Sequence, residues 1–135
     1  MFIDTSAWVA LVSTDDINHT QIKQIIDLNL KKRTPLFTSN YVFCETITRL
    51  NTHASWFKTA QFIELFDESL YSKTVRRFWI DKKLEGDSLK FLAKYSNHRF
   101  SLTDATIAVL VKTHQLDTIL TTDGGFNKIG FKVLP

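Results

Sequence analysis

The chain opens Met1-Phe2-Ile3-Asp4, three apolar residues closed by a carboxylate, and passes through Thr5-Ser6 into Ala7-Trp8-Val9-Ala10-Leu11-Val12. Apolar throughout instead of alternating, Met1–Ile3 has the pattern of a strand buried on both faces of a parallel sheet. A strand that hands over directly to a helix is the first half of a β-α-β unit. In open α/β sheets, ligands gather beyond the carboxyl ends of the strands. Asp4 stands at such a place. Taken alone, Asp4, Thr5 and Ser6 are equally well explained as caps, because their side-chain oxygens can accept from the free N–H groups of a helix start. Recurrence of the pattern along the chain separates the two readings.

That recurrence is visible. Thr14–Asn18 reads as a polar loop, and His19–Lys32 as a helix through Ile22, Ile25, Ile26, Leu28 and Leu30, ending in the basic run Lys31-Lys32-Arg33 that suits a helix C-terminus. Pro35 then precedes a short strand, Leu36–Thr38, with Ser39 or Asn40 capping a helix over Tyr41–Leu50 and a further helix over Ala54–Leu70. A third strand is predicted at Thr74–Ile80, a helix at Asp81–Tyr95, and a turn-rich connector at Ser96–Phe100. Ser101 and Asp104 have the spacing of a capping box ahead of a helix over Ala105–His114. Thr118–Leu120 reads as a fourth buried strand, Thr121–Phe126 as a turn containing Asp-Gly, and Phe131–Leu134 as a last strand. Alternating strands and helices of these lengths predict an α/β fold with a central parallel sheet. No linker, repeat or low-complexity tract interrupts residues 1–135, so one domain is expected.

Composition narrows the class further. A chain of 135 residues with 44% hydrophobic and 23% charged residues can bury a core without covalent staples. No apolar run approaches the ~18–20 residues that span a bilayer, and no secretory signal pattern precedes Asp4. A single cysteine, Cys44, allows neither an internal disulfide nor a cysteine zinc site, and a lone cysteine of this kind is expected to be buried packing. A cytoplasmic setting follows as the expectation. The net charge of +3 favours a polyanionic partner only weakly, but more so if the acids cluster and leave the remaining surface basic.

Four acids have the placement to cluster. Asp4 and Asp123 follow strand ends, while Glu45 and Asp104 fall in the early turns of helices on the same side. Each has a structural explanation of its own: Glu45 can pair with Arg49 one turn on, and Asp104 can complete its capping box. Carboxylates gathered at one place repel and raise one another's pKa, a cost that makes sense where a cation sits among them. Oxygen ligands alone point to Mg²⁺ or Mn²⁺ over zinc, and the chemistry such sites perform is phosphodiester hydrolysis.

In these residues the chain resembles the PIN-domain ribonucleases, and within them the VapC-like toxins of toxin–antitoxin pairs. The likeness is carried by Asp4-Thr5-Ser6, by Glu45 within Asn40–Thr46, by Arg99–Ala105 around Asp104, and by Thr122-Asp123-Gly124-Gly125-Phe126 leading to Gly130-Phe131. It implies a three-layer α/β/α fold and a Mg²⁺-dependent endoribonuclease that forms a homodimer and is inhibited by a small cognate antitoxin. It also implies that Asp4, Glu45, Asp104 and Asp123 form the catalytic and metal-binding set, with Ser6 and Thr122 as hydroxyls that orient the acids or the RNA substrate. Gly124-Gly125 departs from relatives with bulkier polar residues and implies a looser loop around Asp123.

Other readings fit less well. A haloacid-dehalogenase-type phosphatase would need an acid where Ser6 stands, and a phosphate-receiver domain would need an acidic pair at Asp4. The four histidines form no motif with Cys44, and no P-loop is present. A PIN-like module that binds RNA or protein without turnover is the remaining alternative. For substrate contact, Arg99, Arg76, Arg77, Lys82 and Lys83 could neutralise phosphates, and Trp8, Trp56 and Trp79 could stack on bases, although packing is the commoner role of tryptophan. Phe43, Trp56, Phe57, Phe62 and Phe66 exceed what one small core would be expected to absorb, which predicts a homodimer contact on the helices spanning Tyr41–Leu70.

Overall fold

A computed structural model describes all 135 residues. Five strands, β1 (Phe2–Ile3), β2 (Leu36–Ser39), β3 (Val75–Phe78), β4 (Ile119–Leu120) and β5 (Val133–Leu134), form one sheet in the order β3-β2-β1-β4-β5. Every neighbouring pair is parallel, as the strand–helix alternation predicts. The helices are α1 (Thr5–Val12), α2 (His19–Lys31), α3 (Asn40–His53), α4 (Trp56–Tyr71), α5 (Lys82–Lys94) and α6 (Leu102–Thr113). The first four pack on one another and α5 packs on α6, giving the outer layers of an α/β/α arrangement.

β1 is the first strand made and lies in the middle of the sheet. Phe2 and Ile3 are fully buried, which is why an unalternating apolar run serves there. The predicted elements are all present, with shifted ends. β3 stops at Phe78, short of the expected Ile80, and α3 runs on to His53 before Ala54 turns the chain. Ser55 then caps α4 by accepting from Lys58 N. A single 3-10 turn at Asn127–Ile129, unmarked by any periodicity, precedes β5.

The aromatic residues redraw the expected dimer contact. Phe62 and Phe66 are fully buried, packing edge-on against Trp8 at 5.7 and 5.6 Å between ring centroids, and Phe43 lies 4.6 Å from Phe66. They are core, because a helix layer over a twisted sheet needs large side chains to fill the gap. Only Trp56 and Phe57 of that group stay in solvent, at 68% and 69% exposure. Cys44 is exposed on α3, contrary to the packing role expected of a lone cysteine. Trp8 is buried and donates through Nε1 to Thr38 Oγ1, so it cannot meet a base.

Candidate active site

Asp4 ends β1 and caps α1, and both roles are visible in its hydrogen bonds. Its Oδ1 accepts from Thr5 N at 2.6 Å, while Oδ2 accepts from Ser6 Oγ at 2.9 Å and Thr121 Oγ1 at 2.8 Å. The two hydroxyl oxygens lie 3.0 Å apart and themselves accept from backbone, Ser6 Oγ from Thr122 N at 2.9 Å and Thr121 Oγ1 from Asp123 N at 3.0 Å. Each hydroxyl has one proton to give. With Asp4 ionised, both protons go to Oδ2, so two backbone amides feed two hydroxyls that feed one carboxylate oxygen. Such a chain polarises in one direction and strengthens along its length. The Thr5 hydroxyl beside it is buried without a protein partner.

The hydroxyl that reaches Asp4 from β4 belongs to Thr121, where sequence reasoning had chosen Thr122. Thr122 is exposed and contributes its backbone N–H alone. The signal was in the register: Ile3 pairs with Leu120, so the next residue on each strand brings Thr121 alongside Asp4.

Asp104 sits in the first turn of α6 and completes the expected capping box. Its Oδ2 accepts from Ser101 N at 2.7 Å and from Ser101 Oγ at 2.9 Å. Its Oδ1 takes no part in that box. Asp123 is exposed on the loop after β4, where its Oδ1 accepts from Gly125 N at 2.8 Å. That bond and the one from Asp123 N tie Asp123 to both of its neighbours in the loop. Gly125 has a steric reason as well: a Cβ there would lie 3.2 Å from Asp123 Oδ1 and 3.3 Å from Phe100 Cε1. Glu45 is half-buried on α3 and makes no ion pair with Arg49, since the molecule's two ion pairs are Lys58–Asp15 and Lys90–Asp87. Arg99 is exposed in the α5–α6 connector, without a carboxylate partner.

The acids feel one another. Burial pushes the Asp4 carboxyl above its ordinary value, the three donated hydrogen bonds pull it back, and the negative charge of Glu45 adds to the rise. Burial likewise raises Asp104, opposed by Ser101 and reinforced by Asp4 and Asp123. Glu45, Asp4, Asp104 and Asp123 thus lie within one another's fields in a connected series, with no cation of the protein among them. An apolar hollow of about 420 Å³ lies elsewhere, between α1, α2 and α4, lined by Trp8, Leu11, Ile26, Leu65 and Val75. It offers hydrophobic surface, not reacting groups.

As placed, no three of the His, Cys, Asp and Glu side chains stand close enough to enclose one ion. The donor chemistry nonetheless fits a hard cation. The four acids offer oxygens alone, two of them are raised by burial and mutual repulsion, and a buried hydroxyl is left for a non-protein partner. Mg²⁺ keeps several of its waters and is held by one or two carboxylates directly, so it needs no closed protein cage.

The architecture is a parallel α/β/α sandwich with Asp4 at the carboxyl end of its central strand, the end at which such sheets bind ligands. Residues 1–132 match the PIN domain, and the chain belongs to that family. Over 133 residues it is 29% identical to the 23S rRNA-specific endonuclease VapC20 of Mycobacterium tuberculosis, in strains CDC 1551 and H37Rv alike, covering 97% of this chain and 95% of that protein. The crystal structure of Mycobacterium tuberculosis VapC20, a Sarcin-Ricin loop cleaving toxin, is similar with a TM-score of 0.81 at 27% identity, over 96% of this chain and 95% of that one.

Proposed function

We propose that the chain, as one PIN domain, is a Mg²⁺- or Mn²⁺-dependent endoribonuclease, the toxin of a toxin–antitoxin pair acting on ribosomal RNA. The observation that carries the reading is the buried Asp4 carboxylate at the carboxyl end of the central strand, held by Thr5 N, Ser6 and Thr121, with Asp104 and Glu45 close enough for their charges to act on it. The kinship to a 23S rRNA endonuclease supports the substrate class. In this reading Asp4 and Asp104 hold the ion, with Glu45 and Asp123 beside them. The ion, when bound, supplies an activated water and neutralises charge on the phosphate. Ser6 and Thr121 fix the Asp4 carboxylate so that its free lone pairs stay aimed, and the backbone amides of Thr122 and Asp123 fix the hydroxyls. In the same reading Arg99, exposed and without a carboxylate partner, neutralises a substrate phosphate.

A cytoplasmic homodimer held by a small antitoxin completes the proposal, with Trp56 and Phe57 the aromatic residues free to form a contact between copies. No helix is long and apolar enough to cross a membrane. One observation favours the alternative of an RNA-binding module without turnover: no three acids converge on a point. Incubating purified protein with 23S rRNA, in Mg²⁺ and in EDTA, decides between them. Cleavage in Mg²⁺ that disappears in EDTA and in Asp4→Asn and Asp104→Asn supports the nuclease. Retention of RNA by wild type without any cleavage supports the module.

A further inference from the structure

We infer that Trp79 is a base-stacking platform for a nucleotide of the bound RNA strand outside the cleavage centre, an inference that rests on the ribonuclease reading above. Trp79 is 65% exposed, a large apolar surface left in water just past the end of β3. Its ring does not lie loose. The Arg77 guanidinium covers it at 4.3 Å from the ring centroid, and Arg77 is itself held against Phe43 and Phe66 at 5.9 and 5.8 Å. The next residue fixes the backbone, because Ile80 N donates to Asn40 Oδ1 at 2.8 Å. Asn40 opens α3, the helix that carries Glu45.

The register places the backbone of this platform at the carboxyl end of the sheet, the end at which Asp4 stands. Phe2 pairs with Phe37 and Ser39 pairs with Phe78, so stepping two residues along puts Asp4, Ser39 and Phe78 on one level across three adjacent strands. Two strand spacings separate β1 from β3, about 10 Å. Trp79 lies one residue beyond that level, at the same carboxyl end of the sheet as Asp4, with its ring turned with Arg77 toward the α3 and α4 face.

The surroundings select a nucleic acid over an apolar partner. Trp79 shares a hollow with Lys73, Arg76 and Arg77 that runs along the edge strand β3 from its carboxyl end back to its start, and none of these cations has a carboxylate partner. An aromatic face beside unneutralised cations matches a single strand, whose bases stack and whose phosphates need charge. Stacking on a ring already held by a guanidinium costs little further ordering. Trp56, equally exposed, has Phe57 as its neighbour and no cation stacked on it, which makes it the comparison residue.

The test compares wild type, Trp79→Leu, Trp79→Phe and Trp56→Leu on a single-stranded RNA oligonucleotide that wild type cuts in Mg²⁺. Trp79→Leu should raise KM about tenfold with kcat nearly kept, the loss expected of one base stack. It should also abolish the tryptophan fluorescence quench that wild type shows on RNA addition. Trp79→Phe should retain most of the affinity, and Trp56→Leu should retain the fluorescence quench on RNA addition. A Trp79→Leu protein with wild-type KM and quench overturns the platform and leaves the ribonuclease reading standing. A wild type that neither binds nor cuts RNA removes both. A Trp79→Leu protein that loses mass by light scattering while keeping its RNA affinity makes Trp79 a contact between copies, which also overturns the platform.

Discussion

Replacing Thr121 by Val tests whether the hydroxyl relay holds the Asp4 carboxylate. The two side chains have nearly the same shape, and the site is 2% exposed, so the change deletes the hydroxyl with little repacking. A hydrogen bond to a charged acceptor contributes about 1.5–3 kcal/mol. The new methyl group returns about 0.8 kcal/mol by burial. Asp123 N, on an exposed residue, recovers a bond to water. The net loss is about 1.5 kcal/mol, a fall in Tm of about 5 °C for a chain of this size. The pH dependence carries the sharper signature. Asp4 in the folded protein titrates above its ordinary value of 3.8, so stability is highest where it is protonated in both states and declines as pH rises through the window above 3.8. Thr121 is the first-named group opposing that rise. Its loss should lift the folded pKa further, so the Thr121→Val deficit should grow from pH 5 to pH 8 in EDTA. Thr121→Ser, which keeps the donor, should stay near wild type. A Thr121→Val protein as stable as Thr121→Ser at pH 8, with a deficit that does not change with pH, refutes the relay.

In cleavage assays, Asp4→Asn and Asp104→Asn should each lose a factor of ~10² or more, as when charge stabilisation at the reacting phosphate is removed; unchanged activity in Asp104→Asn would show that the acid serves as a cap alone. In melting curves, Mg²⁺ at a hundredfold excess over its dissociation constant should stabilise wild type by ~2.7 kcal/mol. Asp104→Asn, which keeps an oxygen for Ser101, should melt no lower than wild type in EDTA and respond weakly to Mg²⁺; an equal response in both proteins would place the ion elsewhere. Phe66→Ala, at the junction of Trp8, Phe43 and Phe62, should cost about 3–5 kcal/mol by denaturant unfolding. A cost under 1 kcal/mol would mean that the aromatic cluster is not the core of that layer.

The parts of the fold that depend on local pattern could be read from the residues. Met1–Ile3 announced a central strand because burial on both faces removes alternation, and Ser101 with Asp104 announced a helix start by spacing alone. The parts that depend on meeting a distant segment could not. Thr121 and Thr122 are chemically equal in the sequence, and only the pairing of Ile3 with Leu120 decides which faces Asp4. Phe62 and Phe66 look like surplus apolar residues until the gap around Trp8 is known. Asp104 illustrates why the capping and site readings were never exclusive. One oxygen completes the box with Ser101 while the group still lies in the field of Asp4 and Asp123.

The relay between Asp4 and Thr121 joins residues 117 apart in the chain. During synthesis Asp4 emerges long before the strand that supplies its donor. Until β4 docks, β1 has one neighbour in place of two, and the carboxylate lacks both the hydroxyl of Thr121 and the amide-backed Ser6 arrangement. Pairing across so long a separation comes late, because the loop must be closed before its contacts reward it. The hydrogen bonds that hold the Asp4 carboxylate are therefore expected to close late in folding. A nascent chain stalled before Thr121 would carry the acids without the structure that aims them. For a protein proposed to cut ribosomal RNA, that order of assembly delays the active enzyme until the ribosome making it has passed β4 and Asp123.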